Sequence, residues 1–207
     1  MWILDKQGSL CCWQEPKFSS STREAGEDEK KGLSNIFYAN ANGLFNKLNE
    51  LRNCLRTYEN IDIICITETH FTPKILDSEL HIEGFRFYRK DRDFNVVEGS
   101  EDSNSDLNGN ISDGGGSIIY YNEKLVVSPD DKFNKSAPDS VAIKIDSEYG
   151  EIEVACIYRS MNLSKHFNKK LISCIENIGN VKNNFETLIV GDFNLPDICW
   201  ENCTLKG

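Results

Sequence analysis

Long apolar runs are missing from this sequence. None approaches the roughly 20 residues that a helix needs to span a bilayer. The opening stretch MWILDKQGSLCCW is interrupted by Asp5 and Lys6 and has no charged region followed by a clean apolar core, so it does not read as a signal peptide. No membrane partner is expected. Positive charge is also in deficit, with 23 Lys and Arg against 33 Asp and Glu and a formal net charge of -10. That balance argues against broad electrostatic binding of nucleic acid, which normally uses basic surface. Paired cysteine motifs are lacking as well: none of the 8 cysteines forms a C-x-x-C pair. Cys199 and Cys203 have no nearby histidine and make a weak zinc argument. Cys65 and Cys156 lie inside apolar strand-like runs, where a free cysteine behaves as a small hydrophobe. This usage points to a reducing, intracellular compartment, nuclear or cytoplasmic.

The charge deficit is unevenly spread. Residues 95–113 hold Glu98, Glu101, Asp102, Asp106 and Asp113 with no Lys or Arg, and they read as an acidic surface loop. Residues 1–33 are polar, charged and without periodicity, and read as a disordered leader. What is left, residues 34–207 without that loop, is only mildly acidic. One domain with a real core is expected there, because 207 residues suffice for one. A local basic rim or a metal ion then suffices for a nucleic-acid ligand.

Periodicity fills in the domain. Asn35–Ala41 reads as a strand, and Leu44, Leu48, Leu51 and Leu55 follow at helical spacing. Ile61–Ile66 is a buried strand leading into Thr67-Glu68-Thr69-His70. Gly84–Arg89 and Ser117–Tyr121 read as strands, and Val141–Asp146 with Glu151–Tyr158 as a hairpin turning near Gly150. Ser164 is placed to cap a helix running through Ile178. The apolar run Leu188-Ile189-Val190 ends at Gly191, then presents Asp192 and Asn194. Alternation puts those two side chains on one face at the strand's end, where active sites of α/β proteins collect. The order of elements predicts an α/β (α+β layered) domain, with no internal repeat.

Four strand ends carry polar groups: Asn40 and Asn42, Glu68, Tyr158 with Arg159, and Asp192 with Asn194. Singly, each has a bland reading. Asn42-Gly43 makes a turn, a terminal Glu is solvated, and a terminal Tyr is half-buried packing. Together, in the order Asn40-Ala41-Asn42-Gly43-Leu44, Thr67-Glu68-Thr69, Gly114-Gly115-Gly116-Ser117, Ile157-Tyr158-Arg159 and Gly191-Asp192-Phe193-Asn194, they form a pattern. Over residues 34–207 the chain resembles the endonuclease/exonuclease/phosphatase superfamily. The string GDFNLPDICW is similar to the apurinic-type endonuclease domain of LINE-like, jockey-type non-LTR retrotransposons.

The resemblance implies a β-sandwich of two mixed sheets flanked by helices and a DNA endonuclease that nicks target DNA. It implies Mg²⁺ (or Mn²⁺) as cofactor, DNA as partner, and a reverse transcriptase domain in the full element. It makes Glu68 the main metal ligand, since a hard cation prefers carboxylate oxygen. Asn42 stands where relatives often have an acidic residue, and Asp192 completes the site. Asn40 orients its neighbours, Asp192 handles the proton of the attacking water, Asn194 holds the phosphate, and Tyr158 bonds the phosphate or the leaving oxygen. Arg159 is a further substrate contact, and His70, two residues after Glu68 and outside the family's pattern, reads as structural or as a substrate contact at the site mouth. The family ends in a strand and a Ser-Asp-His module, and residues after Asn194 hold no such module. The domain is therefore expected to be incomplete at its C-terminus, with the last strands missing. Two alternatives to an endonuclease stay open on sequence alone: a non-catalytic, truncated remnant, and a phosphatase of the same superfamily.

Overall fold

The computed structural model describes residues 2–4, 10–12, 35–58, 60–92, 114–147, 150–161, 165–179, 186–195, 198–199 and 204–205. Within the expected leader, β1 (Trp2–Leu4) and β2 (Leu10–Cys12) pair antiparallel. The remainder of residues 1–33 and the acidic loop at 95–113 lie outside the described residues, as does the helix cap expected of Ser164.

The first sheet has the order β3-β4-β6-β5. Its strands are β3 (Ile36–Asn40), β4 (Ile63–Thr67), β5 (Phe85–Lys90) and β6 (Ser117–Asn122). β3 and β4 run parallel, and β6 is antiparallel to both β4 and β5. A parallel pair needs a crossover. It is supplied by a 3₁₀ turn (Phe45–Lys47) leading directly into α1 (Leu48–Thr57). A second 3₁₀ turn spans Asp77–Leu80. The second sheet has the order β10-β9-β8-β7. It comprises β7 (Val126–Pro129), β8 (Val141–Ser147), β9 (Gly150–Tyr158) and β10 (Glu186–Asp192). β10 runs parallel to β9, while β7, β8 and β9 are joined antiparallel. The crossover from β9 to β10 is α3 (Lys165–Gly179). A short helix, α2 (Asp131–Ser136), links β7 to β8, and Asp130 caps it by accepting from the Phe133 N–H at 2.8 Å. A last two-residue pair, β11 (Ile198–Cys199) and β12 (Thr204–Leu205), is antiparallel.

The expected layering is present, and side-chain parity explains it. Alternate residues of each strand face opposite sides. Ile63, Cys65, Ile119 and Tyr121 of the first sheet meet Val141, Ile143, Ile145, Val154 and Cys156 of the second. Phe37, Ala39, Ile64, Ile66 and Ile118 face the other way, onto Leu44, Leu48 and Leu51 of the α1 region. Ala142, Ala155 and Ile157 pack outward against Phe133 of α2 and Leu171, Cys174 and Ile178 of α3. The result is four layers, helix, sheet, sheet and helix. Each fully buried Ile or Leu in these seams contributes roughly 1.5–3 kcal/mol of transfer free energy. β4, Ile63–Thr67, is buried at all five positions, as a strand covered on both faces should be. Cys65 and Cys156 are buried in strands, as expected for small hydrophobes.

Candidate active site

The seam between the two sheets runs out in polar residues at one end. Following each strand along the parity that faces the opposite sheet gives Ile36, Tyr38 and Asn40 on β3, and Ile63, Cys65 and Thr67 on β4. The same walk gives Val154, Cys156 and Tyr158 on β9, and Leu188, Val190 and Asp192 on β10. Both sheets place a parallel pair here. Asn40 is in register with Thr67, and Asp192 with Tyr158. Four strand ends therefore converge, two from each sheet.

Asn40 joins them. Its Nδ2 donates to Glu68 Oε1 at 2.8 Å and to Asp192 Oδ2 at 2.9 Å. Its Oδ1 accepts from the backbone N–H of Asn42 at 3.1 Å. A primary carboxamide has two N–H donors and one carbonyl, so Asn40 holds both carboxylates while its own orientation is fixed by the next turn. Glu68 leaves β4 with φ 51, a left-handed conformation that side chains rarely adopt. Its carbonyl accepts from Gly43 N–H at 2.8 Å, which ties this turn to the β3 turn. Backbone strain at a site of converging polar groups points to function rather than to folding.

Tyr158 lies among these groups. Burial pushes its hydroxyl up to about 12, and the carboxylates of Glu68, Asp192 and Asp139 add to the shift while Arg92 opposes it. It stays a neutral donor. Its backbone is held by Ser140, whose Oγ accepts from Tyr158 N–H at 3.1 Å. Beneath the site, the Tyr38 hydroxyl and Thr67 Oγ1 share a hydrogen bond of 3.1 Å.

His70 and the β3 turn form the mouth. His70 Nε2 stands 3.7 Å from Glu68 Oε2. Asn42, at φ 42, is exposed there. Arg159, expected as a substrate contact, also holds neighbouring backbone and side chain. Its Nε donates to Asn168 Oδ1 at 2.8 Å and its Nη1 to the Asn194 carbonyl at 2.7 Å. Asn194 also departs from simple alternation. β10 ends at Asp192, and Asn194 turns away at φ 44. Its N–H donates to Asp192 Oδ1 at 3.2 Å and its Nδ2 to the Arg159 carbonyl at 2.9 Å. Arg159 and Asn194 thus brace one another and orient Asp192.

The structure brings Asn40, Glu68, Tyr158 and Asp192 together, with His70 and Asn42 at the edge. Tyr38, Thr67, Arg92, Asp139 and Ser140 are further residues of this region that sequence reading missed. Tyr38 carried a signal, since it shares its strand parity with Asn40, and Thr67 carried one as the seam-facing residue that immediately precedes Glu68. Asp139 and Ser140 carried none, because the short β7 and α2 that deliver them have no clear periodicity. Among the described residues, no group of three or more His, Cys, Asp and Glu is gathered as a ready-made metal site. No helix among them is long and apolar enough to cross a membrane.

The class that fold and site define is a four-layered α/β sandwich with an asparagine-bridged carboxylate pair where its two sheets meet. The chain belongs to the Endonuclease/Exonuclease/phosphatase family, which it matches over residues 33–207. No curated protein sequence matches it. Among solved structures, the catalytic domain of Xenopus laevis APE2 is similar at 15% identity with a TM-score of 0.50, covering 77% of this chain and 58% of that one. The endonuclease domain of TRAS1, a telomere-specific non-LTR retrotransposon, is similar at 13% identity and a TM-score of 0.49, covering 77% and 59%. The 3'-5' exonuclease NExo of Neisseria meningitidis is similar at 15% identity and a TM-score of 0.49, covering 79% and 59%. The chain thus spans less than two thirds of the length of these three structures.

Proposed function

We propose that this chain is a metal-dependent phosphodiesterase domain acting on DNA, the nicking endonuclease of a LINE-like retrotransposon. The observation that carries the reading is the Asn40 bridge, which presents Glu68 and Asp192 as two distinct carboxylates at one strand-end cluster. Family membership supports the reaction class, and the GDFNLPDICW string supports the retroelement assignment.

The donors fit a hard divalent cation. Glu68 supplies a carboxylate and Asn42 a carboxamide at the mouth, with water completing the shell, as Mg²⁺ prefers. Such an ion, when bound, supplies Lewis-acid stabilisation of the charge that builds on the phosphoryl oxygens. The chain's own residues supply the rest. Asp192, oriented by the Asn194 N–H, is placed to take the proton of the attacking water. Asn40 keeps Asp192 and Glu68 from drifting apart or repelling one another. Tyr158 keeps its proton at neutral pH and donates a hydrogen bond to the phosphoryl or leaving oxygen. The new bond is water oxygen to phosphorus, and the broken one is phosphorus to the strand's bridging oxygen. A reverse transcriptase of the same element is the partner this reading implies.

The test is conversion of supercoiled plasmid to open circle with Mg²⁺. Nicking is expected from the parental chain and not from Asp192→Ala. Equal nicking by that variant sinks the assignment. Release of phosphate from a small phosphoester without any nicking moves the chain to the phosphatase reading.

A further inference from the structure

The site is crowded with negative charge. Glu68, Asp192 and Asp139 all act on the Tyr158 hydroxyl, and Arg92 is the cation that acts on it in the opposite sense. A phosphodiester entering such a site meets like charge, so a fixed cation near Tyr158 has an evident use. Arg159, another arginine of this region, donates to Asn168 and to the Asn194 carbonyl.

Arg92 follows the end of β5 and is held in place. Its Nη1 donates to the Gly114 carbonyl. Its Nε stands 3.9 Å from Asp139 Oδ2, and its side chain keeps 18% of its surface exposed. Gly115 packs between the two partners. A Cβ there would lie 3.2 Å from Arg92 Cδ and 3.1 Å from Asp139 Oδ2. On one side, the Gly115 carbonyl accepts from His70 N–H at 3.0 Å, which ties Arg92 to the Glu68 turn. On the other, Asp139 precedes Ser140, whose hydroxyl holds the Tyr158 backbone. Arg92 therefore sits between the Glu68 turn and the segment that holds Tyr158. A guanidinium is always charged and its planar fork matches the oxygens of a phosphate.

We propose that Arg92 is a substrate ligand of this site, contacting a backbone phosphate of the nucleic-acid strand, with Asp139 and the Gly114 carbonyl setting its orientation. This rests on the phosphodiesterase reading above. Contact with one phosphate releases condensed counterions, so its loss is read directly in the salt dependence of binding.

The experiment is fluorescence anisotropy of a fluorescein-labelled DNA duplex titrated with the full chain in EDTA, over a series of NaCl concentrations. Removing the charge with Arg92→Gln is expected to flatten the slope of log affinity against log salt by about 0.9 and to weaken binding about tenfold. Arg92→Lys keeps the charge and is expected to keep the slope while losing several-fold in affinity, because the fork is gone. A parental slope in Arg92→Gln overturns the proposal, whatever happens to affinity or melting temperature. Where circular dichroism shows Arg92→Gln unfolded, Arg92→Lys decides: parental affinity there also overturns it. A parental chain that binds no DNA at any salt concentration sinks the DNA reading itself, a result distinct from a change confined to the variants.

Discussion

Asn40 Nδ2 stands 2.9 Å from Asp192 Oδ2 although 152 residues separate them in sequence. β3 begins the first sheet and β10 ends the second, and no ladder joins the two strands. The contact across the open end of the sandwich is therefore made by side chains. The same nitrogen reaches Glu68 Oε1 at 2.8 Å, so one carboxamide sets the spacing of two carboxylates that would otherwise repel.

Asn40→Ala removes both bonds without altering either carboxylate. The expected result is a fall in nicking rate of about 10²–10³-fold, the scale typical for loss of one preorganised polar group. Melting temperature should change little, because Asn40 is only half-buried. Initial rates and thermal scans on the same preparation check this. A parental rate would show that the bridge serves folding alone.

Tyr158→Phe keeps the ring in the seam and removes the hydroxyl. Its proton is held to about pH 12 by burial and by the carboxylates of Glu68, Asp192 and Asp139. The donor is therefore intact throughout neutral and mildly alkaline solution. The parental rate is expected to show no alkaline fall attributable to Tyr158 up to about pH 10, and the Phe variant to be slower by a nearly constant factor over that range. A pH–rate profile of both proteins decides. A Tyr-to-Phe ratio that collapses towards one between about pH 8 and 10 would mean that the hydroxyl ionises there.

Much of this site was legible in sequence because it is built on strand ends. An apolar run announces a strand, and the polar residue that stops it announces the end, as with Ile66 to Glu68 and Val190 to Asp192. Which ends meet was legible only through the family resemblance, since register and sheet order are long-range properties. Parity failed at Asn194, where a left-handed turn replaces the alternating strand. The bonds of the Arg159 guanidinium to Asn168 and the Asn194 carbonyl were not legible, because they join segments apart in sequence. β7 and α2 were missed because both are short, at 4 and 6 residues, and the pattern of neither stands out from a loop.

Gly191 is required by the strand it belongs to. It pairs with Ile157 in the parallel ladder at φ 152, and an added Cβ would lie 1.9 Å from the Ile157 carbonyl oxygen. Backbone cannot step aside as a flexible side chain can. Gly191→Ala is expected to cost about 3 kcal/mol or more, lowering the melting temperature by about 6–12 °C. Gly150→Ala is the control. Its φ is 122 but nothing lies within 4 Å of the added carbon, so only the backbone strain of about 1–3 kcal/mol remains. Thermal unfolding of the two variants should therefore differ in the order stated, and equal losses would refute the steric account.

Far from the strand ends, Glu153 makes stability depend on pH. It is 3% exposed, sits opposite Lys144 in the ladder, and its pKa is raised from 4.5 to about 7 by burial and by the Asp130 carboxylate, against the pull of Lys144. The folded chain then holds a proton that the unfolded chain releases, so stability falls as pH rises from about 4.5 to about 7 and levels off above that. Asp130 is shifted the other way, with the Phe133 N–H holding it ionised against the cost of burial, so its contribution is lost only on acidification below its ordinary range. After solvent screening, the Glu153 effect is on the order of 1–2 kcal/mol. Glu153→Gln should remove this component and leave the acid limb of Asp130 intact. Urea unfolding at a series of pH values checks it: the stability difference between parent and Gln variant must change across that window, and a difference independent of pH would show that Glu153 is already ionised in the fold.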